Sequence, residues 1–162
     1  MENPLLTESP LPYGAPQFDK IENKHYLPAF KQGIKEGKEE IDAIVNNPAK
    51  PTFNNTILAL EKQGELLDRT TSVFFNMVQC NTSDELQDIA MRIHPKLTEL
   101  GNDVSLNPEL FKRVKAVYEK PGLFLSKEDK KLLENSYKSF VRSGANLNDK
   151  DKELYRQYSS EL

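Results

Sequence analysis

The sequence predicts an all-α protein: an antiparallel hairpin of two long helices followed by further helices, about six in total, arranged as a bundle or a curved layer. Three observations lead there. Apolar residues recur three and four positions apart through most of the chain, the spacing that lines one face of a helix. Helix-starting residues (Ser, Thr, Asn, Asp) and helix-stopping ones (Gly, Pro) stand at the ends of those runs. No alternation of period two, the mark of a half-buried strand, competes with them.

Residues 1–20 read as an extended, proline-rich arm. Four of the ten prolines lie in the first 16 residues, with Gly14 among them, and proline fixes φ while removing a backbone donor. From Ile21 the helical period takes over, and 21–162 read as one helical domain. Leu27, Phe30, Ile34, Gly37, Ile41 and Ile44 form the first stripe. Pro28 falls in the first turn, where its missing N–H costs nothing. Asn46-Asn47-Pro48 ends this helix. Thr52 then caps a second run of Phe53, Ile57, Leu60, Gly64, Leu67, Thr71, Phe74 and Val78. That run predicts one helix over 52–80, roughly 40 Å long at ~1.5 Å per residue. The glycines on both stripes predict a close approach of the two helix axes, folded back on each other at Asn46–Pro51.

Thr82-Ser83-Asp84-Glu85 matches a capping box and opens a third helix. Its stripe is Leu86, Ile89, Ile93, Leu97, Leu100 and Val104, with Pro95 inside it predicting a kink. Asn107-Pro108-Glu109 starts a short fourth helix that ends at Lys120-Pro121-Gly122. Ser126-Lys127-Glu128-Asp129 opens a fifth, with Leu132, Leu133, Tyr137, Phe140 and Val141 inward and Gly144 closing it. A sixth begins after Asn148 and carries Leu154, Tyr155 and Tyr158. It meets no stop signal before Leu162, which predicts that the chain is cut inside an element.

Charge and composition remove several function classes. The net charge is −3 with acids and bases interleaved, whereas a nucleic-acid partner calls for a basic stripe. No apolar run approaches the ~20 residues that cross a bilayer, so no membrane span is expected. The one cysteine, Cys80, excludes an internal disulfide framework. No basic and apolar leader precedes Pro4. The compartment stays unassigned: cytoplasm, or periplasm and cell envelope after removal of a leader, are equally compatible.

Chemistry is sparse. A helical zinc-peptidase site uses H-E-x-x-H, because residues four apart share a helix face and grip one ion. Here the only histidines are His25 and His94, far apart, and each reads as polar surface or a packed imidazole. Cys80 lacks a signalled base and reads as a buried small hydrophobe at a helix end. Glu36, Glu39, Glu40 and Asp42, then Glu61, Glu65 and Asp68, read as solvated helix surface. No phosphate-binding glycine loop, nucleophile elbow or C-x-x-C occurs. Asn54-Asn55-Thr56 and Asn81-Thr82-Ser83 match glycosylation sequons but stand where caps are expected. Phe74 and Phe75 cannot share one face, so one ring meets a second helical layer or a partner. The expected catalytic, cofactor-binding and metal-ligating residues are therefore none.

Three strings in the sequence carry a family resemblance. They are Phe18-Asp19-Lys20-Ile21-Glu22-Asn23-Lys24-His25-Tyr26-Leu27-Pro28-Ala29-Phe30, then Pro51-Thr52-Phe53-Asn54-Asn55-Thr56-Ile57 running on to Ala59-Leu60-Glu61 and Gly64, and Phe140-Val141-Arg142-Ser143-Gly144-Ala145-Asn146-Leu147. In this order they resemble the N-terminal region of the thimet oligopeptidase and peptidyl-dipeptidase family of zinc metallopeptidases, with a flavour closer to the bacterial peptidyl-dipeptidases. The resemblance covers about Phe18 to Leu162. It implies an almost entirely helical, two-lobed enzyme around a deep channel, with zinc ligands far downstream of this region. It also implies that the partner of this segment is the remaining catalytic part of the same polypeptide, and that the parent acts on short peptides with zinc polarising the scissile carbonyl. No catalytic position carries over, and Tyr137, Tyr155 and Tyr158 take no substrate-gripping role. The expected function is a non-catalytic helical domain forming part of the channel wall. The alternatives are a free-standing helical interaction module and a bundle with no partner.

Overall fold

The computed structural model describes residues 3–120 and 124–161. It is 73% helical, with no strand among the described residues. The six main helices are α1 (Tyr26–Val45), α2 (Glu65–Cys80), α3 (Asp84–Ser105), α4 (Pro108–Glu119), α5 (Lys127–Arg142) and α6 (Asp149–Glu161). Short turns of 3-10 helix occur at Pro12–Gly14 and Asn23–His25, and a π-helical turn, Phe53–Leu58, runs into one α turn, Ala59–Glu61. The described residues form two compact units.

The first unit joins the chain up to Lys38 with Gly64–Leu97. Phe74 of α2 is its centre, fully buried, with edge-on ring contacts to Tyr26 at 4.9 Å and Phe30 at 5.2 Å. Each such ring contributes about 1.5–3 kcal/mol by leaving water. Leu86, Ile89 and Ile93 of α3 close the same core, and Leu5 of the N-terminal segment is tucked into it. The Leu5 carbonyl accepts from the Arg69 guanidinium at 3.3 Å, and Asn3 donates to the His25 carbonyl at 2.9 Å. Within this unit α1 and α2 run antiparallel, Gly33 lying against Leu67 and residues 26–30 against Phe74. A Cβ on Gly33 would stand 3.0 Å from the Leu67 Cα. A close approach of the two helices is thus found, at Gly33, one turn before the Gly37 that the first stripe carries.

The second unit joins Glu39–Gln63 with Thr98–Leu162. Ile41 and Ile44 of α1, Phe53 and Ile57 of the π turn, Leu110, Val114 and Val117 of α4, and Leu133 and Phe140 of α5 make its core. Thr52 caps the π turn as predicted: its hydroxyl accepts from the Asn55 N–H at 3.2 Å, and Asn55 Oδ1 accepts from the Thr52 N–H at 2.8 Å. Asn107 caps α4 by accepting from the Glu109 and Leu110 amides, and Ser126 and Asp129 form a reciprocal capping box on α5. Gly144 closes α5 with φ +87°, and the Ala145 N–H donates to the Phe140 carbonyl at 3.0 Å. That left-handed residue satisfies carbonyls the helix end would leave bare. The predicted stop at Pro121 and Gly122 lies outside the described residues.

Several expectations need correction. The run 52–80 is not one helix. Gly64 takes φ +76°, ends the turns before it and starts α2, and a Cβ there would meet nothing within 4 Å. Its role is therefore conformational and not close packing. The break also turns the buried face by about one position, so Leu66, Thr70, Val73 and Phe74 are inward while Leu67 and Thr71 are half-buried. The cap of α3 is Ser83, whose hydroxyl accepts from the Leu86 N–H, and Glu85 instead accepts from Asn23 at 2.7 Å. Pro95 does lie inside α3, where the sequence places it. On α6, Leu154, Tyr155 and Tyr158 face outward, while Lys152, Arg156 and Ser159 hold the helix by bonds to the Leu106 carbonyl, Asp103 and Asn102.

Candidate functional site

His25 is buried, and its Nδ1 accepts from the Glu22 N–H at 3.0 Å, which makes it the closing residue of a capping box. Used this way, that nitrogen is not free to bind a metal. His94 is exposed on α3, its ring 5.0 Å from that of Phe75. Phe75 in turn meets Phe74 edge-on at 5.0 Å. The paired phenylalanines thus divide as the sequence requires: Phe74 fills the core and Phe75 reaches the second helical layer.

A zinc site needs three or four converging nitrogen, sulfur or carboxylate ligands. Among the described residues no group of three His, Cys, Asp or Glu side chains comes together. Cys80, expected to be buried, is instead exposed, because it is the last residue of α2, where the helix leaves the core. Glu36 accepts from Gln32 at 2.8 Å, and Glu65 pairs with Arg69 at 3.9 Å along the helix surface. The residues present do not fit a zinc centre, and no chemical step is assigned to them. Among the described residues no helix is long and apolar enough to cross a membrane.

Two carboxylates titrate below the usual range. A hydrogen bond from Lys24 lowers Glu22, and hydrogen bonds from Lys138 and then Lys131 lower Glu134. Glu22 is exposed and Glu134 is partly so, and their lysine partners are exposed, so these are surface ion pairs of small energetic weight. Burial raises the Tyr26 phenol. These shifts come from surface ion pairs and from the burial of a core ring, and no acid–base role is assigned to them.

Two features escaped the sequence. The first is Arg113 of α4, nearly buried, which donates to the Asn47 carbonyl at 2.9 Å, to the Ala49 carbonyl and to Asn55 Oδ1, both at 3.4 Å. It ties the turn after α1 to α4, and no spacing rule links residues so far apart in sequence. The second is a groove of ≈ 780 Å³ between the first half of α1 and the middle of α3. Leu27 and Ile34 supply apolar wall from α1, and Met91 and Pro95 from α3. Lys31, Arg92 and Lys96 also line it, with no acidic residue among the lining side chains. Opposing helices create this feature, and no spacing along the sequence reveals it.

No family model matches the chain. Among curated proteins it is 49% identical over 160 residues to the dipeptidyl carboxypeptidase of Escherichia coli, covering 98% of this chain and 24% of that protein. It is 46% identical, with the same coverage, to the dipeptidyl carboxypeptidase of Salmonella typhimurium. Oligopeptidase A of Escherichia coli matches at 26% over 163 residues, covering 100% of this chain and 23% of that protein. The chain therefore spans about a quarter of the length of the curated relatives it matches.

Proposed function

We propose that this chain, an N-terminal region of a thimet-oligopeptidase-family peptidase, is a non-catalytic helical domain that forms part of the wall of a channel admitting short peptides. The observation carrying this reading is the 49% identity to a dipeptidyl carboxypeptidase along 98% of the chain. The parent activity on this reading is release of dipeptides from peptide C-termini by a zinc-dependent hydrolase. The zinc ligands belong to the remaining part of the polypeptide, which is also the chief partner of this segment. Zinc there would polarise the scissile carbonyl and activate water.

The work of this chain is then steric. A wall that excludes folded proteins has to be stiff. Stiffness is supported by the edge-packed rings of Tyr26, Phe30 and Phe74, by the close passage of Gly33 beside Leu67, and by the Arg113 clamp. Such packed interiors resist compression. The test compares the purified chain with a longer polypeptide that contains it, using a peptide substrate and a chelator. Chelator-sensitive dipeptide release by the longer polypeptide alone supports the reading. Cleavage by the 162-residue chain itself defeats it.

A further inference from the structure

We propose that the groove between α1 and α3 is a docking site for an acidic amphipathic helix of a protein partner, an interaction that does not depend on the peptidase reading. The argument begins with charge. The whole chain carries −3, yet the groove is lined by Lys31, Arg92 and Lys96 and by no acid. All three cations are exposed, and among the described residues no ion pair joins any of them to a carboxylate of its own helix. A cationic rim of this kind attracts a negatively charged partner and sets its register.

Between these cations lies apolar surface. Met91 is 67% exposed, Pro28 and Pro95 are exposed, and Leu27 and Ile34 are half-buried, so an apolar strip runs along the groove floor. Exposed methionine beside other apolar groups is the adaptable surface that suits helix recognition. Within this unit α1 and α3 run side by side in the same direction: Asn23 bonds Glu85 at one end, and Leu27 to Ile34 face Met91 to Lys96 further along. A furrow between two such helices takes a third by ridge-into-groove packing, with anchors three and four residues apart. Pro95 adds one polar feature. It has no N–H for the Met91 carbonyl one turn earlier, leaving an acceptor on this face of α3 without its helical donor. A concave furrow with cations along both walls fits a helix rather than a flat bilayer, whose contact surface would be convex.

The test uses the purified chain and two fluorescein-labelled synthetic helices with identical leucine patterns, one carrying glutamates and the other lysines. Fluorescence anisotropy should show saturable binding of the glutamate peptide only, weakened by added salt. The double reversal R92E/K96E should weaken it by about tenfold or more, as removal of close charge pairs does. Met91→Asp should also weaken it, whereas Lys150→Glu on α6 should not. These are exposed positions, and circular dichroism of each variant checks that the fold is retained. Equal binding of both peptides, no binding of either, or unchanged affinity in R92E/K96E overturns the proposal. So does self-association of the chain that R92E/K96E abolishes, or binding to anionic phosphatidylserine vesicles in place of the glutamate peptide.

Discussion

Gly33→Ala adds one methyl group where α1 passes close beside Leu67 in the first unit. Its Cβ would lie 3.0 Å from the Leu67 Cα and 3.1 Å from the Leu67 Cβ and N. Two of those atoms are backbone, so no rotamer change relieves them, and α1 and α2 must separate by a few tenths of an ångström. Overpacking of this size costs ~1–3 kcal/mol. Alanine returns ~1 kcal/mol through its better helix propensity. The net is a loss of about 1 kcal/mol, or ~2–4 °C in Tm for a chain of this length. Gly101 in α3 is the matched control. A Cβ there meets nothing within 4 Å, so Gly101→Ala should gain ~0.5–1 kcal/mol from the same backbone effect. Thermal and urea unfolding followed by circular dichroism measure both. A Gly33→Ala protein as stable as the parent would refute the claim that this contact is closed to a side chain.

Three further outcomes follow from particular contacts. Arg113→Ala removes the donors to Asn47, Ala49 and Asn55 and should cost about 2–3 kcal/mol, the weight of charged hydrogen bonds lost from a nearly buried site. Faster hydrogen exchange confined to the 46–55 turn would locate the effect. Ser126→Ala deletes one half of the α5 capping box and should cost ~1 kcal/mol in urea unfolding. Burial raises the Tyr26 phenol above its usual value of 10.0, so its neutral form is favoured in the folded state. That contribution is intact below pH ~10 and is lost as the pH rises beyond it, because the unfolded phenol ionises first. Tyrosinate absorbance should show a late-titrating step that Tyr26→Phe abolishes.

The parts of the fold legible beforehand are those written in local chemistry. Asn107-Pro108, Ser126 with Asp129, Thr52 and Gly144 each mark a helix end through bonds to residues a few positions away. Gly64 shows where local reading failed. It sits on the apolar period, so the stripe passed through it unbroken, yet its left-handed backbone stops one helix and starts another. Periodicity counts positions and does not sense φ. The Thr82-to-Glu85 spacing misled in a different way, since Ser83 took the cap and Asn23, distant in sequence, captured Glu85.

Function divided along the same line. The resemblance rests on contiguous words of sequence, and the match to dipeptidyl carboxypeptidases follows from those words. His25, which the sequence reads as polar surface or a packed imidazole, is a buried ring that accepts from the Glu22 N–H. The α1–α3 groove was invisible because Lys31 lies some sixty residues from Arg92 and Lys96. Only packing brings such residues to one place.

The proposed function makes this chain a helical, non-catalytic part of a zinc peptidase. It is tested most directly by peptide hydrolysis with and without a chelator, comparing the purified chain with a longer polypeptide that carries it. The account predicts chelator-sensitive release of C-terminal dipeptides by the longer polypeptide and none by the chain alone. Turnover that co-purifies with the chain, or a longer polypeptide with no such activity, would contradict it.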